Sequence, residues 1–294
     1  MRGSEFLATY AKKPWPAWEL AAVDLAKKGE FIDWGWCEVT VKKGDLTGVL
    51  RIQKDVFAIG EPGDYVRLPL SPERAQEIAN HQGWMLETPL IAYTGWRACD
   101  LKLQRQAMVP NKGADLAQIA EHSRLIDNQI AGRPGSVAGH KKSVVVGNLY
   151  QPGKVLIFGW YKPEPDVFDD KTPLTNPERQ PRQPYSNVHG SFYLDYSHGI
   201  RFVGGTMNVN GQELLTADVM QHPQLCALVS HEGPLRMVRY PAPNKPRATS
   251  PVGPLPAMPG LPAPPAVSYA PYVPTTPSLA DVGLQKMLQS AKRT

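Results

Sequence analysis

Residues 115–131 read DLAQIAEHSRLIDNQIA and residues 143–160 read SVVVGNLYQPGKVLIFGW, and the change of period between them decides the fold class. In the first stretch Leu116, Ile119, Ala120, Ile126 and Ile130 share one helical stripe, and Gly132 supplies the stop. In the second, β-rich runs at 143–149 and 154–160 flank Gln151-Pro152-Gly153, a hairpin signal. A helical period giving way to adjacent strands joined by a tight turn points away from a doubly wound sheet.

Toward the N-terminus, Trp18, Ala21, Ala22 and Leu25 stand at helical spacing within 15–28. Strands at 36–41 and 47–57 around Lys42-Lys43-Gly44-Asp45 read as a hairpin. Ser71-Pro72-Glu73 has the N-cap, first-position proline and first-turn acid of a helix start, and Gly83 ends that helix. Thr88-Pro89 repeats the signal for a helix running to Leu103. On the C-terminal side, residues 162–185 carry six prolines and read as a long loop. Strands at 191–196 and 200–209 and a helix at 214–220 complete the region. The expected fold class is α+β, helices followed by a mainly antiparallel sheet. It occupies one globular region over 1–240, with a candidate sub-boundary near 110.

Residues 241–277 hold thirteen prolines and almost no charge after Arg247, a composition that favours extended polyproline II over a packed core. Within 278–294 a helical pattern resumes, with Leu279, Val282, Met287 and Leu288 on its apolar side. So short a helix is marginal alone in water and is expected to dock on a protein partner.

The net charge of +5 is unevenly placed. Lys245, Arg247, Lys286, Lys292 and Arg293 face only Asp281 in the arm, leaving 27 bases against 26 acids before it. A near-neutral body gives little support to a nucleic-acid groove. No run reaches the roughly 18 apolar residues of a membrane span, so no membrane partner is expected. The first twenty residues lack an apolar h-region and a small-residue cleavage site, so no signal peptide is expected. Cys37, Cys99 and Cys226 are odd in number and far apart, which argues against a disulfide framework or a zinc site. A cytoplasmic location, or a virion if the chain is phage-encoded, fits these features. No phosphate-binding loop or compact metal-ligand motif is present, and neither cofactor nor metal is expected.

Two clusters carry the chemistry. In residues 188–201, VHGSFYLDYSHGIR, continuous strand alternation would put His189, Ser191, Tyr193, Asp195 and Ser197 on one face. An aspartate beside a histidine fixes its tautomer and supports general-base work. The second cluster, Gly139-His140-Lys141-Lys142-Ser143, stands at a strand entrance, where lysines could neutralise an anion. Phe158-Gly159-Trp160-Tyr161 ends the next strand and could line the same pocket, although buried aromatics in such a place are more often core. The candidate catalytic residues are thus His140, Lys141, His189, Asp195, Ser197, His198 and Arg201. The alternative is that these polar groups merely cap and tie strand ends. Cys99, near the end of its helix, reads as buried and inert.

Val188-His189-Gly190 with Ser197-His198-Gly199-Ile200-Arg201 resembles the L,D-transpeptidase signature, an upstream His-Gly with Ser-His-Gly-Cys-x-Arg. The family's nucleophilic cysteine falls at Ile200, and the two histidines stand closer than the family's spacing. A wider stretch, GHKKSVVV through FGWY to YLDYSHGIRFV, is similar to a group of bacterial proteins without an assigned activity. That group is expected to carry an aspartate at Ser143 and a histidine at Tyr161. The resemblance implies a peptidoglycan-directed, hydrolase- or transferase-like domain whose active site has lost groups. His189 or His198 would be the general base, Asp195 would orient it, and Lys141 and Arg201 would stabilise negative charge. Such chemistry requires His140, His189 and His198 to share a cleft. The alternative is a non-enzymatic component of a phage virion or other large assembly, anchored through its proline arm.

Overall fold

In this computed structural model, residues 1–109, 111, 114–161 and 181–241 are described. The N-terminal part forms α1 (Gly3–Tyr10), α2 (Trp15–Lys27), β1 (Trp36–Lys43), β2 (Leu46–Gln53), β3 (Ala58–Glu61) and β4 (Asp64–Arg67). The middle forms α3 (Pro72–Gln82), β5 (Met85–Leu86), α4 (Pro89–Ala98), β6 (Leu101–Lys102), α5 (Leu116–Ile130) and β7 (Val137–Ala138). Then come β8 (Lys142–Val144), β9 (Ile157–Gly159), β10 (Gln183–Ser186), β11 (His198–Gly199), β12 (Phe202–Val209), β13 (Gln212–Leu215) and α6 (Thr216–Gln221). The class is α+β with mainly antiparallel sheets; the parallel pairs are β8–β11 and β6–β7.

Local chemistry explains most boundaries. Asp115 caps α5, its carboxylate accepting from Ala117 N at 2.8 Å, and Ala131 and Gly132 leave the helix at φ 50° and 72°. Thr88 Oγ accepts from Ile91 N at 3.1 Å to start α4. That helix stops at Ala98, short of the expected Leu103, because Cys99 turns to an extended conformation and Leu101 pairs with Val137. Gly83 ends α3 at φ 72° as expected. The sequence reading did not contain α1, the β3–β4 hairpin around Pro62-Gly63 or the short strands β5, β7 and β13, and β10 takes up the end of the stretch expected as a loop.

A larger correction concerns 191–196, which is a chain of turns and not a strand. Tyr193 N donates to Gly190 O, and the Asp195 carboxylate accepts from Ser197 N and Oγ at 2.7 and 2.5 Å. An aspartate that satisfies nearby donors itself competes with ladder formation. The shared face proposed for His189, Ser191, Tyr193, Asp195 and Ser197 therefore does not exist as a strand face.

The main sheet runs β1-β2-β12-β13, with β5 also pairing β12, so its strands come from both ends of the described chain and its pairing crosses position 110. A second sheet runs β10-β9-β8-β11. The two meet where Glu87 bridges Val145 and Val146 N donates to Glu87 O at 2.8 Å. One apolar cluster, containing Trp18, Ile52, Trp96, Val145, Phe158, Phe202 and Tyr240, spans both sheets. The expected proline arm beyond residue 241 and the helix expected within 278–294 lie outside the described residues.

Candidate functional site

The two clusters read from the sequence meet on paired strands. β8 and β11 run parallel with His198 opposite Lys142 and Gly199 opposite Ser143, and Lys142 N donates to Ser197 O at 2.7 Å. Gly199 is what permits the approach, since a Cβ there would stand 2.7 Å from Lys141 Cβ.

His140 is fully enclosed, and its Nε2 lies 3.1 Å from Asp55 Oδ1. The other oxygen of Asp55 is taken by Arg67, whose Nε and Nη2 donate to Oδ2 at 2.9 and 2.7 Å. Arg67 also donates from Nη1 to Asp127 Oδ1 at 2.7 Å. Burial pushes the Asp55 carboxyl up, but the charges of Arg67 and His140 outweigh it and hold the group well below the carboxylate range. Burial pushes the His140 imidazole down to about 4, against the pull of Asp55. At neutral pH the ring is uncharged beside an ionised carboxylate, so Nε2 carries the proton and Nδ1 is a bare acceptor.

His140 lines a small cavity together with Glu87, Lys141, Ser143, Tyr161 and Arg201. Glu87 comes from the turn into α4, Ser143 from β8 and Tyr161 from just beyond β9, where its ring stacks on Trp96 at 4.4 Å. Gly159 also lines it, while Phe158, Trp160 and Tyr161 belong to the apolar core, Tyr161 reaching the cavity as well. Between Gly159 and Tyr161, Trp160 adopts φ 65°, unusual for a side-chain-bearing residue, and its Nε1 donates to His140 O at 3.1 Å. Burial raises the Glu87 carboxyl to about 7 although Arg201 opposes this from 3.9 Å. Neither Glu87 Oε2 nor His140 Nδ1 has a hydrogen-bond partner among the described residues. Arg201 is anchored at the cavity by donating to Val137 O at 2.5 Å and to Gln53 O at 3.3 Å. Lys141 is buried, its Nζ donating to Tyr196 O at 2.5 Å, and burial with the charge of Arg67 lowers the ammonium to about 7.

His189, Asp195, Ser197 and His198 do not line this cavity. The Asp195 carboxylate accepts from Ser197 and, at 3.2 Å, from the Tyr193 hydroxyl, so both oxygens serve turn donors and neither holds an imidazole. His189 stacks on Tyr193 at 3.9 Å, and the Tyr193 ring stands 5.8 Å from His198. His198 is fully buried, its imidazole lowered to about 4 by desolvation, and neither ring nitrogen has a partner among the described residues. Of the seven sequence candidates, His140, Lys141 and Arg201 thus share one cavity, and the other four form a separate aromatic and polar group across β11. His140, His189 and His198 therefore do not share this cavity as expected, and neither His189 nor His198 is held by Asp195 as a base for it. Asp55, Arg67 and Glu87 were missed. No local motif marks them, because Asp55 and His140 stand 85 residues apart in sequence.

Cys99 is buried, its thiol pointing to Trp96 O at 3.0 Å and raised by burial, which leaves it inert as read. His222 accepts from Gln224 N and Leu225 N at 3.1 and 3.2 Å, capping the 3-10 turn Leu225–Leu228. Among the described residues no group of three or more His, Cys, Asp or Glu is placed to hold a metal, and no helix is long and apolar enough to cross a membrane. Comparisons with family models, curated proteins and solved structures return no match.

Proposed function

We propose that the chain is a cell-wall-directed enzyme of the hydrolase or transferase type in which His140 is the general base. The Asp55–His140 pair carries this assignment: an ionised, Arg67-clamped carboxylate fixes the tautomer of a neutral imidazole that lines a polar cavity. In the same cavity Glu87 is raised to about 7 while His140 is lowered to about 4, and two groups driven apart in this way divide into acid and base. Arg201 stands beside them as a fixed positive charge for a developing anion. The wall polymer as substrate rests on the sequence likeness of Val188-His189-Gly190 and Ser197-His198-Gly199-x-Arg201 to the transpeptidase signature, of which Arg201 alone lines the His140 cavity.

The test is release of soluble fragments from purified peptidoglycan. His140→Ala is expected to lower the rate by about 10²–10⁴-fold, the usual worth of a positioned base, with its folding checked by circular dichroism. His198→Ala, off the cavity, is expected to lose less. Failure of the folded wild-type protein to release any fragment removes the wall enzyme and favours the assembly component.

A further inference from the structure

We propose that two copies of the chain pair through β1, the outer edge of the main sheet, with Thr40 on the two-fold axis and Glu38 of each copy opposite Lys42 of the other. This interface is independent of the wall-enzyme reading, and no β1 residue lines the His140 cavity.

The sheet order β1-β2-β12-β13 leaves one side of β1 unpaired, and its eight residues exceed the four of β13 at the opposite edge. Which of its backbone groups face outward follows from the hairpin. The two-residue turn Gly44-Asp45 closes on Lys43 opposite Leu46, with Gly44 at φ 56°, the positive φ such turns need at their first position. Lys43 and Leu46 are then a hydrogen-bonded pair, and bonded pairs recur at Val41, Val39 and Cys37. The N–H and C=O groups of Glu38, Thr40 and Lys42 therefore point away from β2. The same alternation holds on β2, where Thr47, opposite Lys42, turns its carbonyl to the β12 side and accepts from Asn210 N at 2.9 Å. Among the described residues no backbone group from another segment bonds Glu38, Thr40 or Lys42, and all three are exposed. An open edge of this length is a template for another strand.

The sequence of β1 selects a second copy as that strand. In antiparallel self-pairing the outward-facing residues must meet one another. Centring the pair on Glu38 or on Lys42 puts like charges face to face, which is unfavourable. Centring it on Val39 or Val41 leaves Glu38 and Lys42 without each other. Only Thr40 at the centre sets Glu38 against Lys42 twice, and it places Val39 opposite Val41 on the covered face. Within the chain Glu38 stands opposite Arg51, whose guanidinium lies over the Trp36 ring at 5.7 Å. The strand is thus complementary to itself in charge and hydrogen bonding, as an isologous interface requires.

Sedimentation of the full chain over about a hundredfold range of concentration should show a monomer–dimer equilibrium. Glu38→Lys alone, or Lys42→Glu alone, should raise the dissociation constant by about tenfold or more, because each turns two attractive pairs into repulsive ones. Mixing the two variants should restore association, since each then meets opposite charges on the other. Circular dichroism confirms that these exposed substitutions leave the fold intact. Under mild oxidation Thr40→Cys should give a disulfide-linked dimer, and Glu38→Cys and the unsubstituted chain should not. Only position 40 faces itself, at a Cα separation of about 5.5 Å that a disulfide can span. A monomer at every concentration would overturn the proposal. So would a dimer that neither charge reversal weakens, or one that Thr40→Cys fails to cross-link.

Discussion

At the residue scale, burial decides the protonation of the candidate site. His140 and Glu87 keep the uncharged form because the cavity desolvates them, and Asp55 stays charged only because Arg67 lies in contact with it. Activity that needs neutral His140 and protonated Glu87 should rise through pH about 4 and fall through pH about 7, measured as kcat/KM on wall fragments. Glu87→Gln should remove the alkaline limb along with most of the rate; a limb that persists would belong to Lys141. His198 makes a separate prediction about stability. Unfolded it takes a proton near pH 6.5, but folded it resists until about 4, so the unfolded chain binds the extra proton between those values. Its contribution to stability is therefore lost as pH falls through that window, by about 3 kcal/mol. His198→Asn should flatten this loss relative to wild type in urea melts from pH 7 to pH 4.

At the element scale, caps and close approaches set the frame that holds those residues. The N-cap of α5 was hidden in plain sequence as an ordinary aspartate, yet its carboxylate meets two helix amides, Ala117 N and Gln118 N. Asp115→Ala should cost about 1 kcal/mol of unfolding free energy, with Asp115→Asn retaining most of it, in a denaturant titration. The α5 frame matters to the site because Asp127 on that helix completes the Arg67 clamp. Gly199 and Gly205 act through close contact, whereas Gly211 and Gly233 take the positive φ of turns with open space around them. A Cβ at Gly205 would stand 2.0 Å from Gly83 O, which ties β12 to the end of α3. Helices and hairpins announced themselves through periodicity and turn residues, whereas the 191–196 run had the composition of a strand and became turns through the hydrogen bonds of Asp195.

At the scale of the molecule, the sheet closes the chain on itself. β2 pairs β12 across about 150 residues, with Val203 opposite Ile52 and Val209 opposite Gly48, so neither side of position 110 has a complete main sheet. Near the end of the described residues Tyr240 is buried, its hydroxyl donating to Val145 O at 2.7 Å and accepting from Leu156 N at 2.9 Å and so bracing the strand region beside the cavity. Tyr240→Phe should lower stability by about 1–3 kcal/mol through two orphaned backbone groups, measured by calorimetry against the unsubstituted chain.

The sequence by itself determined the α+β class, the positions of α2, α3, α4 and α5, the β1–β2 and β8–β9 hairpins, and three of the groups that share the cavity. Those features are carried by local periodicity, caps and turn residues, which act over a few positions and can be read along a line. Tertiary structure alone decided that β2 meets β12, that His140 is held by Asp55 and Arg67, and that Glu87 rather than His198 stands in its cavity. The physical reason is that these are desolvated polar contacts between distant segments. Their partners are chosen by which charges burial forces together, and no local pattern encodes that choice.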